Sequence, residues 1–154
     1  MSLSNYAEAK LLDHMNGTTS WTMPAALYLA LFTSNPDEDA SGNEVDDTVD
    51  DTAYARQSIT FAAATSGAGT AVTSNTQTFA AVVYGSGAAA YSVTHIAAVV
   101  YGSGAAAYSV THIAVFDAST AGNMISYTAL AAPISRTVGK TLVFSTGDIS
   151  TLLG

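Results

Sequence analysis

Residues 80–96 read AAVVYGSGAAAYSVTHI, and residues 97–113 read AAVVYGSGAAAYSVTHI again, without a substitution, at a period of 17 residues. Each copy sets an apolar run (Val82, Val83 and Tyr84 in the first) before a Gly-Ser-Gly break, then continues Tyr-Ser-Val-Thr-His-Ile. β-Branched and aromatic residues favour extended backbone, and Gly85 and Gly87 can supply the positive φ of a chain reversal. One copy therefore reads as a β-hairpin, and two in tandem read as a meander. Repeat architectures need about three units, and their units diverge, so a solenoid is the weaker reading. A perfect copy marks a recent duplication or a copying error in the written sequence.

The same extended pattern continues outward from the doubled stretch. Upstream, residues 76–79 lead into it, and the Gly/Ser/Thr-rich residues 66–74 read as a loop. Residues 54–61 (YARQSITF) alternate as a strand does, and Leu27–Phe32 is a short apolar run closed by Thr33-Ser34-Asn35-Pro36. Its length and its breakers favour a buried strand over a helix. Downstream come residues 114–117, a turn at 119–123, a strand over 124–130 ended by Pro133, another at 141–144, and a last one at 149–153. Short strands separated by Gly, Asn, Asp and Pro predict a mainly β chain, an antiparallel β-sandwich or barrel-like domain.

One helix precedes it. In residues 1–16, Asn5 and Glu8 fit a capping box, and Asn16-Gly17 is a stop signal. Ala7, Leu11, Leu12 and Met15 share a face that has to be covered by the chain's own sandwich or by a neighbour. Trp21 is a core residue by default and a contact anchor if exposed. Leu11, Leu12, Met15 and Trp21 are thus the interface candidates. The organisation expected is one domain over residues 1–154, with a helical arm (1–17) and a β domain (18–154).

Charge narrows the function. The formal net charge is −8, and the only fixed cations are Lys10, Arg56, Arg136 and Lys140. Binding to nucleic acid or to an anionic membrane surface needs clustered Lys and Arg, so neither is expected. Charged residues are only 10% of the chain, which suggests a surface covered in part by other copies or other proteins. Residues 37–51 hold eight of the twelve acids. Asp37, Asp39, Ser41 and Gly42 imitate the start of a calcium loop, but Thr48 stands where a bidentate Glu is required, so a solvated, outward-facing loop is the reading.

Little else points to chemistry. The chain has no cysteine, no hydrophobic run long enough for a bilayer, and no signal-peptide zones at its start. His95 and His112 occupy one repeated position without the acids or thiols of a metal set. His14 sits at a helix end, where a partial positive charge is favourable. His112 and Asp117 could be imagined in a Ser-His-Asp triad, but the Gly-x-Ser-x-Gly elbow is absent. Gly85 to Ala90 lacks the third glycine of a dinucleotide loop and leads into a strand-like run. No catalytic residue, cofactor or metal is predicted.

The order of segments resembles a known family. Ser4-Asn5-Tyr6-Ala7-Glu8 with Leu11-Leu12-Asp13-His14, then Leu27 to Thr33, then Glu44-Val45 leading to Tyr54-Ala55-Arg56-Gln57, is similar to small virion proteins of tailed bacteriophages called tail fibre or capsid decoration (cement) proteins. The likeness continues through Val110 to Asp117, Gly122-Asn123, Ala129-Leu130 and Val138 to Leu142. The Asp-rich insert and the second copy of the doubled block depart from that pattern. The resemblance implies a non-enzymatic virion protein. The first expectation is a cement subunit on the outer capsid surface, a homo-oligomer (a trimer over a dimer) that bridges major capsid proteins. The alternative is a tail fibre or baseplate appendage contacting the host surface. A β-sandwich hydrolase, from another class, is disfavoured by the missing motifs.

Overall fold

A computed structural model describes residues 1–45, 51–64, 69–81, 108–137 and 139–152. Asp46, Asp47, Asp50, His95 and both Gly-Ser-Gly breaks, and with them most of the expected meander, lie outside the described residues. The chain begins with β1 (Ser2–Leu3) and α1 (Asn5–Met15), followed by β2 (Leu27–Phe32), β3 (Gln57–Ile59), β4 (Thr70–Val72) and β5 (Gln77–Phe79). The doubled stretch gives way to β6 (Tyr108–Phe116), then β7 (Met124–Arg136), β8 (Leu142–Phe144) and β9 (Ser150–Leu152). All described pairings are antiparallel. β1, β7, β6, β2 and β3 form a five-stranded sheet in that order, while β4 pairs β9 and β5 pairs β8.

Alternation puts the two sides of β2 into two cores. Leu29 and Leu31 join Val110, Ile113 and Val115 of β6 in the larger one, with Ile59, Phe79, Phe144 and Ile149. The β5–β8 pair thus packs on one face of the large sheet through Phe79 and Phe144, as a sandwich requires. Tyr54 stacks on Phe79 at 6.1 Å, and Phe79 meets Phe144 edge-on at 6.4 Å. On the opposite face Ala30, Phe32, Ala114, Phe116 and Met124 form a smaller core. Each large apolar side chain buried this fully contributes on the order of 1.5–3 kcal/mol, so the two cores on either side of β2 and β6 contribute substantially to stability.

Four sequence expectations change. The helix starts at Asn5, and its cap is Ser4, whose Oγ accepts from the Ala7 N–H at 3.2 Å and donates to the Met124 carbonyl. Ser2 and Leu3 are withdrawn from the helix because they pair with Tyr127 and Ser126 at the sheet edge. Pro133 does not end its strand. Between Val110↔Ile134 and His112↔Ala129 the register shifts, leaving Leu130 to Pro133 opposite little more than Thr111. A proline in such a bulge owes the ladder no N–H. The same shift lets Val110 and Ile113, an odd number apart, face one core.

Residues 70–72, read as loop, form β4 against β9. The alternating run 54–61 pairs with β2 over Gln57–Ile59, and Phe61 adds a single antiparallel bridge to Thr73. Tyr54 and Arg56 lie outside it, with their side chains directed at Glu44.

Candidate interaction surface

The helical face predicted to be covered divides in two. Ala7 is fully buried, and α1 packs along β7. Leu11 is half-buried, whereas Leu12 is 60% and Met15 73% exposed. The chain then turns back over the helix end: the Thr18 N–H donates to the Asp13 carbonyl at 2.9 Å, and Gly17 takes φ +72°. The Trp21 N–H donates to His14 Nδ1 at 3.2 Å, so the His14 ring ties this return segment to the helix end. Trp21 is half-buried, and Met23 beyond it is 70% exposed. The described chain therefore does not cover the Leu12 and Met15 part of the stripe. Met23 is an exposed apolar residue the sequence reading missed. The signal for it was Pro24, which keeps the segment out of both helix and strand.

An acidic rim lies at the other end of the helix. Asp37, Glu38, Asp39 and Ser41 line an open hollow of about 370 Å³ with Asn5 and Tyr127. Asp39 is held below its ordinary carboxylate value by hydrogen bonds from Ser41, whose N–H lies 3.0 Å from Oδ1. Among the described residues no three His, Cys, Asp or Glu side chains are grouped to hold a metal.

Two further acids of the segment, Glu44 and Asp51, are not solvated as expected. Glu44 forms a two-pronged ion pair with Arg56, Nε to Oε1 at 2.8 Å and Nη2 to Oε2 at 2.7 Å. Arg56 Nη1 donates to the Ala118 and Ala121 carbonyls at 3.0 and 2.6 Å. Its guanidinium lies 3.7 Å from the centre of the Phe116 ring, which itself stacks on Phe32. A planar fork over an aromatic face suits arginine and no other side chain. Tyr54 donates to Glu44 Oε1 at 2.7 Å and accepts from the Leu31 N–H at 3.2 Å. Burial, with the Glu44 carboxylate next, pushes its phenol far above the ordinary value.

Asp51 is only 1% exposed. It accepts from Tyr108 Oη at 3.0 Å and lies 3.7 Å from Arg136 Nη2, while Arg136 donates to Tyr108 Oη at 3.3 Å and to the Ala80 carbonyl at 2.9 Å. Burial raises the Tyr108 phenol as well. This buried group fastens the start of the doubled stretch, Ala80, and Tyr108 near the end of its second copy to one point.

The imagined triad is not assembled. Asp117 spends its carboxylate on Asn123, accepting from the backbone N–H at 2.7 Å and from Nδ2 at 2.8 Å, and His112 Nδ1 lies 2.9 Å from the Thr111 hydroxyl. Asp117 is a turn residue. Gly122 completes that turn at φ +79°, where a Cβ would come within 2.5 Å of Asp117 Oδ1.

What the described surface offers is contact area: an apolar patch at one end of α1, an acidic rim at the other, and buried charges that brace the loops between. Among the described residues no helix is long and apolar enough to cross a membrane. The family described as Podophage GP4 fiber I protein gp80 matches the chain over residues 2–104 and 97–151, two stretches that meet and overlap on the doubled segment. No curated protein matches the chain.

Proposed function

Because the chain belongs to the Podophage GP4 fiber I protein gp80 family, a phage fibre family, we propose that it is a non-enzymatic structural subunit of a tail fibre or related appendage. Family membership is the observation that carries the proposal. It favours the appendage reading, given above as the alternative, over the cement role on the capsid that the resemblance first suggested. The surface supports the same reading. The described polar groups with unusual environments, Glu44, Arg56, Asp51 and Arg136, are engaged in holding loops together, and the exposed Leu12, Met15 and Met23 suit contact with another subunit.

In this reading the protein self-associates, as a trimer by preference. Repeated attachment in a particle lets a modest interface per subunit suffice. The acidic rim and the host-facing surfaces remain outside that contact. Locating the protein in particle images tests the proposal. Density in the tail region at a few tens of copies or fewer is the expected result. Hundreds of copies arrayed over the capsid would overturn it and restore the cement role.

A further inference from the structure

β6 is the central strand of the five-stranded sheet, paired on one side with β2 and on the other with β7. Its first six residues are the end of the second copy of the doubled stretch. Within them Tyr108 joins the buried group with Asp51 and Arg136, while Val110 and Ile113 are 0% and 3% exposed. Residues 91–96 carry the same six side chains in the same order, Tyr-Ser-Val-Thr-His-Ile. We propose that the chain carries a spare central strand: residues 91–96 can take the place of Tyr108 to Ile113 when the chain slips by one repeat, and the residues just past the repeat select the register found.

The side chains decide between the registers only beyond Ile113. Slipping by one repeat would bring Ala97, Ala98 and Val99 to the places of Ala114, Val115 and Phe116. Ala97 is an identical replacement. Ala98 leaves part of the larger core unfilled where Val115 is now 0% exposed. Val99 lacks the ring that stacks on Phe32 and carries the Arg56 guanidinium. Val100 would replace Asp117 and lose the carboxylate that closes the turn to Asn123.

Nothing within the repeat opposes the slip. Each place in β6 from Tyr108 to Ile113 would receive the same residue, so the inward and outward faces are kept although the repeat is odd in length. Moving one repeat from the connection before β6 to the connection after it exchanges two loop-closure costs, each growing only with the logarithm of length. The family match, which breaks into two stretches on the doubled segment, fits a pattern that one copy satisfies.

The test is Val110→Asp, made in the full chain and in a chain lacking residues 80–96, each followed by urea unfolding with far-UV circular dichroism. An unpaired carboxylate in the core should unfold the single-copy chain, whereas the two-copy chain can deliver Val93 to the same place. The expected result is a cooperative transition for V110D in the full chain, at a reduced midpoint, and none in the single-copy chain. Tyr91→Phe should be silent in the parent and lower the midpoint in the V110D background, with Tyr108→Phe behaving the opposite way. Loss of cooperative unfolding in both V110D chains would overturn the proposal. So would a folded single-copy V110D, a single-copy parent that does not fold, or a Tyr91→Phe that stays silent in the V110D background.

Discussion

Truncating Arg56 to alanine removes four hydrogen bonds and an aromatic contact at once, and leaves Glu44 without its cation. The Arg56 side chain is 8% exposed and that of Glu44 26%. Removing one partner of a fully buried pair costs about 3–5 kcal/mol. Water can reach Glu44 in part, so the expected loss lies toward the lower end, about 3 kcal/mol. Against a total stability of about 5–15 kcal/mol, that is a large fraction. For a chain of this size it corresponds to a fall in Tm of roughly 6–12 °C.

Arg56→Lys separates charge from shape. A lysine keeps the positive charge but cannot form the two-pronged pair, reach two carbonyls and lie flat on Phe116 together, so it should recover less than half of the loss. A double-mutant cycle with Glu44→Ala should give a coupling of about 1–3 kcal/mol. Urea unfolding at fixed ionic strength measures all of these. An R56A loss below about 1 kcal/mol, or an R56K variant as stable as the parent, would refute the claim that this side chain clamps the loops.

Asp51→Asn should cost about 2–4 kcal/mol, because it leaves Arg136 charged and buried, whereas Asp37→Asn and Asp39→Asn should leave the unfolding midpoint nearly unchanged; chemical unfolding of the three variants distinguishes the two ends of the acidic segment. Tyr54 and Tyr108 bind their protons more tightly when folded, so their contribution is intact below the ordinary phenol value and is lost as pH rises above it. Stability should accordingly fall above about pH 10 by about 1.4 kcal/mol per pH unit for each tyrosine ionised only when unfolded, and Tyr54→Phe should reduce that slope. Replacing Leu12 and Met15 together with serine should leave the unfolding midpoint nearly unchanged while abolishing self-association in light scattering, since both side chains are already exposed in the single chain.

The sequence by itself determined what depends on neighbours along the chain. The apolar run Leu27–Phe32 between its breakers, the turn around Gly122-Asn123 and the helix stop at Asn16-Gly17 each follow from a local rule of packing or backbone freedom, and each is present in the structure. The ordered set of segments was also enough to point to the phage family. Tertiary structure decided what depends on distant partners. Pro133 is tolerated because β7 shifts by three residues against β6 there, and 70–72 is a strand because the C-terminal β9 lies beside it. Leu12 and Met15 look no different from Ala7 on a helical wheel, yet of the three only Ala7 is buried. The acidic segment shows the division most plainly. By sequence its carboxylates are one like-charged run, but a carboxylate is solvated or buried according to whether a cation reaches it. Arg56 and Arg136, distant in the chain from at least one of their contacts, are brought to Glu44 and Asp51 by the tertiary fold.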